Sequence, residues 1–114
     1  MIVAAETNAQ LAAGLDGMRA RLAFYGSTPA YRVVLEAHGW GDLQPELNTL
    51  SKRGDWATMA SLITDEMVDE LCVVGKFAEI APTIRARYGD FVQRISYDVP
   101  GATAEQIAAL KAAT

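Results

Sequence analysis

The sequence predicts a mainly α-helical fold with one or two short strands. Three observations carry that expectation. Leu11, Leu15, Met18 and Leu22 recur at steps of four, three and four, the spacing of one helix face. Thr7-Asn8-Ala9-Gln10 and Thr103-Ala104-Glu105-Gln106 both have the form in which a hydroxyl and an amide close a helix start reciprocally. Extended apolar character is confined to a few short stretches, chiefly Met1–Ala5 and Phe91–Tyr97.

Met1-Ile2-Val3-Ala4-Ala5 reads as a strand end that stops at Glu6, and Thr7 opens the first helix. Arg19 and Arg21 lie off its apolar stripe. Gly14 and Gly17 each weaken it by about 1 kcal/mol relative to Ala, which makes sense only where another segment packs closely. The run LAFYGSTPAYRVVLEAHGWGDL, residues 22 to 43, is the densest in chemistry. Gly26-Ser27-Thr28-Pro29 breaks the first helix, and Ser27 or Thr28 is expected to cap a second helix that has Pro29 at its first position. Tyr31, Val34 and Leu35 form its inward face, and Gly39 ends it.

A third helix follows at about Leu43 to Lys52, with Leu43, Leu47 and Leu50 on one face and Gly54 as its stop. Asp55 caps a fourth, with Trp56, Met59, Leu62 and Ile63 inward. Thr64 caps a fifth, whose Asp65 and Glu66 sit where the helix dipole favours anions and whose Met67, Val68 and Leu71 point inward. Val73-Val74-Gly75 is extended, and a helix through about Tyr88 follows with Ile80, Ile84 and Tyr88 inward. Pro82 is expected to delay or kink that helix. Phe91–Tyr97 reads as a strand, Pro100-Gly101 is a breaker pair, and Thr103 opens an alanine-rich last helix. The expected organisation is a single domain over 1–114: a strand end at 1–5, a helical insertion at 7–72, a helix plus strand at 73–100, and a C-terminal helix at 103–114. Two strands joined by so long a helical crossover would be parallel, and a pair of strands needs cover or further partners.

Composition narrows the function classes. Ten Lys and Arg against fourteen Asp and Glu leave a net charge of -4, which argues against nucleic acid or an anionic membrane as the main partner. No apolar run approaches the ~20 residues of a membrane span, and no signal segment opens the sequence, so a cytoplasmic location is expected. Cys72 is the single cysteine and His38 the single histidine, so neither a disulfide nor a histidine-built metal site is expected. His38 reads either as a base or as a group at a helix end beside Gly39. Ser27 with His38 invites a hydrolase reading, against which stands the absence of Gly-x-Ser-x-Gly around the serine. Arg32 can meet an anionic ligand or Glu36 one turn on. Tyr25, Tyr31, Trp40 and Trp56 read as core or interface aromatics or as ligand-stacking rings.

Residues 24–40, FYGSTPAYRVVLEAHGW, followed by Leu47-Asn48-Thr49-Leu50-Ser51-Lys52-Arg53-Gly54, resemble the C-terminal part of the bacterial-luciferase-like oxidoreductases, in particular the branch that uses the deazaflavin coenzyme. The likeness continues through Val73-Val74-Gly75, Arg85-Ala86-Arg87-Tyr88-Gly89 and Arg94-Ile95-Ser96. It departs at Gly75-Lys76-Phe77-Ala78-Glu79-Ile80, where only Glu79 and Ile80 keep the family pattern. The resemblance implies the last βαβ part of a (β/α)₈ barrel with a helical insertion. It does not imply a complete barrel, which takes ~250 residues.

It also implies hydride transfer with deazaflavin or FMN, which a chain of this length is expected not to hold unaided. Tyr25, Ser27, Tyr31, Arg32 and Trp40 are the candidate substrate- or cofactor-binding residues; no catalytic residue is assigned. The partner expected is either the missing barrel portion or further copies of the chain, with a small-molecule substrate once the site is completed. The alternative is a stand-alone helical module that forms homo-oligomers and has no catalytic activity.

Overall fold

The computed structural model describes residues 1–114. The chain runs β1 (Ile2–Ala5), α1 (Asn8–Gly26), a 3₁₀ turn (Pro29–Tyr31), α2 (Arg32–Ala37), α3 (Leu43–Lys52), α4 (Trp56–Ser61), α5 (Asp65–Leu71), β2 (Val73–Lys76), α6 (Phe77–Tyr88) and α7 (Ala104–Ala113). It divides into two compact units, one made of Met1–Leu15 with Asp69–Thr114 and the other of Asp16–Val68. The fold is mainly helical with two strands, as the apolar spacing predicts.

In the first unit β1 and β2 pair in parallel, Ile2 opposite Val73 through Ala5 opposite Lys76. The Val73 N–H donates to the Met1 carbonyl at 2.9 Å and starts the ladder. The returning strand is therefore 73–76, and the expected strand at Phe91–Tyr97 does not form. Strand-favouring side chains make a strand only where a neighbouring backbone offers donors and acceptors, and residues 91–97 instead leave α6 through bonds from the Phe91 and Val92 N–H groups to the Tyr88 carbonyl.

Ile2, Val73, Ile80, Ile84, Val99 and Leu110 form the core of this unit, with Phe77, Tyr88, Tyr97 and Ile107 packed against it. Glu79 accepts the Lys76 N–H at 2.7 Å and satisfies one orphan donor at the start of α6. A methyl group at Gly75 would lie 2.8 Å from that carboxylate, so the glycine makes room for it. Despite Pro82, α6 starts at Phe77 and runs unbroken; the proline is exposed, and the Thr83 hydroxyl donates to the Glu79 carbonyl at 2.8 Å beside the missing donor. At α7 the expected reciprocal cap is present: Gln106 N–H to Thr103 Oγ1 at 3.2 Å and Thr103 N–H to Gln106 Oε1 at 2.8 Å.

Arg87 ties the end of α5 to α6. Its guanidinium donates to the Cys72 carbonyl at 2.8 Å and the Asp69 carbonyl at 2.9 Å, where a helix C-terminus favours a cation. Cys72 itself is buried, and burial pushes its thiol above the usual range.

The second unit is helical throughout. Leu22, Ala23, Leu35, Leu47, Met59, Ile63 and Val68 are its buried apolar residues, with Met18. Arg19 pairs with Asp16 at 3.2 Å and with Asp65, which joins α1 to the first turn of α5. Asp55 caps α4 and Thr64 caps α5 through bonds from the Thr58 and Met67 N–H groups, as expected. Two expected inward residues are not inward: Val34 is exposed, and Trp56 is 53% exposed. On a helix as short as α4 the stripe holds only one deep position, and Met59 occupies it.

Candidate functional site

The candidate residues lie in the second unit, where α1 ends and α2 begins and ends. Gly26 is the last residue of α1 and is buried. A methyl group there would come within 2.9 Å of Leu47 Cδ1, so the glycine lets α1 meet α3. Ser27 follows, 6% exposed. Its hydroxyl donates back to the Phe24 carbonyl at 2.6 Å, and the Thr28 hydroxyl donates to the Tyr25 carbonyl at 2.8 Å. Both hydroxyls therefore finish α1; Thr28 stands at the N-cap position with Pro29 following it, as expected, but its hydroxyl makes no capping bond to the turn.

The Ser27 carbonyl accepts from two carboxamides, Gln44 Nε2 and Asn48 Nδ2, each at 3.0 Å. Gln44 is buried at 6% exposure, and every buried side-chain polar atom in the chain has a partner. The Ser27 segment is a fixed joint between α1 and α3, and its hydroxyl is engaged rather than presented.

Around this joint the aromatic side chains line up. Trp56 meets Phe24 at 6.4 Å between ring centroids, Phe24 meets Tyr25 at 5.9 Å, and Tyr25 stacks on Tyr31 at 6.0 Å with 21° between planes. Phe24, Tyr25 and Trp56 are exposed, so the row has an open apolar face. Arg32 follows Tyr31, and its Nε donates to Glu36 Oε1 at 2.8 Å, one turn on.

Trp40 is carried by the turn that closes α2. Its N–H donates to the Leu35 carbonyl at 2.8 Å while Gly39 N–H donates to Glu36 at 3.0 Å. Gly39 has φ +80°, a left-handed conformation that completes a Schellman stop. The Trp40 ring stacks on His38 at 4.8 Å and 16°. Gly54, at φ +69°, ends α3 in the same way through Gly54 to Ser51 at 3.0 Å and Asp55 to Leu50 at 3.1 Å.

Of the five candidates, the structure brings Tyr25 and Tyr31 into stacking contact and sets Arg32 next along the chain. Ser27 lies beneath them as a backbone joint, and Trp40 stands on the following turn beside His38. Sequence reasoning missed Gln44 and Asn48. Two carboxamides four residues apart, flanking the inward Leu47, are the signal that marks them.

By themselves these groups form one open side of a site rather than an enclosed cradle for a flavin or deazaflavin ring. The tyrosines stack on one another, the Arg32 guanidinium is engaged by Glu36, and no buried polar side chain is left waiting for a ligand. The arrangement offers an exposed aromatic row, with Arg32 next to Tyr31 in the chain and paired with Glu36. No helix is long and apolar enough to cross a membrane.

The luciferase-like monooxygenase family matches residues 1–94, and the chain belongs to that family. It is 50% identical over 95 residues to Uncharacterized protein Rv1360 of Mycobacterium tuberculosis (strain ATCC 25618 / H37Rv) and to Uncharacterized protein Mb1395 of Mycobacterium bovis. The similarity covers 83% of this chain and 28% of each relative, so the chain spans little more than a quarter of the length of the curated relatives it matches. No solved structure matches it.

Proposed function

We propose that this chain is one portion of a luciferase-like oxidoreductase, contributing a wall of the substrate or cofactor pocket and depending on the rest of a barrel for activity. One observation carries the reading. β1 and β2 are parallel neighbours joined by a helical crossover, the repeating unit of a (β/α)₈ barrel, inside the residues that match the family. Sheet closure would satisfy the outer edges of this pair, which alone are too few for a stable sheet.

The binding surface proposed is the Tyr25–Tyr31 stack with Arg32, continued by Trp40, while Ser27 holds the joint in place. An aromatic face beside a guanidinium suits a planar, anionic small molecule. Deazaflavin or FMN supplies the hydride chemistry in such enzymes, and the protein's part is to bind and orient. The chain alone therefore performs no redox step.

A second reading rests on the exposed row Trp56–Phe24–Tyr25, which a further copy of the chain would cover in a homo-oligomer without catalysis. Light scattering of the purified chain, with and without the remainder of the M. tuberculosis relative, distinguishes the two. A complex formed only with that remainder supports the barrel reading; stable self-association unaffected by it supports the second.

A further inference from the structure

The first unit contains a slot of about 420 Å³ between α6 and α7, within the roughly 300–1,000 Å³ of small-molecule sites. One wall is Phe77, Ala81 and Pro82 from α6; the other includes Ala109 and Leu110 from α7. The α7 wall lies beyond residue 94, outside the residues that match the family.

Two charged side chains border the slot. The Glu6 carboxylate already accepts from Gln106 Nε2 at 3.0 Å. Arg85 donates one of its five N–H groups to the Ala113 carbonyl, which steadies the guanidinium at the end of α7 and leaves donors for a ligand. An apolar lining with a guanidinium at its border matches an apolar molecule that carries a single carboxylate, because the fork geometry suits that anion, while Glu6, the other charge at the border, is held by Gln106.

We propose that this slot binds a small amphipathic carboxylic acid, its apolar body between α6 and α7 and its carboxylate on Arg85. The site is independent of the oxidoreductase reading.

The test is an amide NMR titration of the purified chain with 4-phenylbutyrate and with its neutral counterpart 4-phenyl-1-butanol. Shifts confined to residues 77–85 and 106–113 are expected, with the acid binding about tenfold more tightly than the alcohol. Arg85→Gln removes that preference, and Ala109→Leu, an exposed position that narrows the slot, weakens both ligands about tenfold while the rest of the amide spectrum is retained. No shifts at millimolar ligand, equal binding of acid and alcohol, or unaltered binding in Ala109→Leu overturns the proposal.

Discussion

The Gln44 carboxamide donates to the Ser27 carbonyl at 3.0 Å, and both residues are buried. This bond, with its twin from Asn48, fastens the end of α1 to α3 beneath the tyrosine stack. Truncating Gln44 leaves a cavity and removes one of two donors from a buried carbonyl. Gln44→Ala is expected to lower stability by about 1–2 kcal/mol in urea unfolding. Asn48→Ala, at a less buried site, is expected to cost less. Equal stability of Gln44→Ala and the parent would show that the joint contributes nothing.

The two glycines of α1 behave differently. A methyl group at Gly14 would meet Val3 Cγ1 at 3.0 Å, whereas nothing lies within 4 Å of one at Gly17. Close packing therefore explains Gly14 and not Gly17. Gly17→Ala is expected to raise stability by about 0.5–1 kcal/mol, since it removes backbone freedom from the unfolded chain without a clash. Gly14→Ala should show no such gain, because Val3 must yield. Thermal melts of the two variants compare them directly.

Gly39 holds φ +80° to stop α2 and set Trp40 on His38. Gly39→Ala forces a side chain into the left-handed region and is expected to cost about 1–2 kcal/mol. The tryptophan fluorescence of the folded variant should also shift, as the Trp40–His38 stack loosens. A variant as stable as the parent with an unaltered spectrum would remove the Schellman stop from the account.

Burial raises the Cys72 thiol above its ordinary value in the folded chain. Below the ordinary thiol range both states are protonated and the group has no effect. As pH rises through that range the unfolded chain ionises first, so the folded state binds more protons and stability falls. Cys72→Ala should flatten this alkaline loss. The native thiol should also react with an aromatic disulfide reagent only at the rate at which the chain opens. Rapid labelling at neutral pH would contradict both statements.

Helix starts and stops were legible in the sequence because each is decided locally. Thr103 with Gln106, Asp55 before Trp56, and the glycines at 39 and 54 act through bonds a few residues long. The returning strand is not legible locally, because strand pairing is a long-range matter. Val73–Lys76 is short but has β1 beside it, while Phe91–Tyr97 is rich in strand-favouring residues and gains no partner. On the shortest helices the apolar period extends beyond the core, so Trp56 and Val34 fit it yet stay exposed. At the candidate site the residue types were visible, but the engagement of Ser27 by its own helix and by Gln44 and Asn48 depended on α3 folding back.

A cofactor titration tests the proposal that this chain is part of a luciferase-like oxidoreductase completed by further barrel. Cofactor fluorescence is followed as oxidised deazaflavin coenzyme or FMN is titrated with the purified chain, alone and after co-expression with the unmatched remainder of the M. tuberculosis relative. No binding is expected of the chain alone, and micromolar binding of the assembled pair, weakened about tenfold by Arg32→Ala or Tyr31→Ala. Failure of the two polypeptides to associate, or an assembled pair that binds neither cofactor, would contradict it.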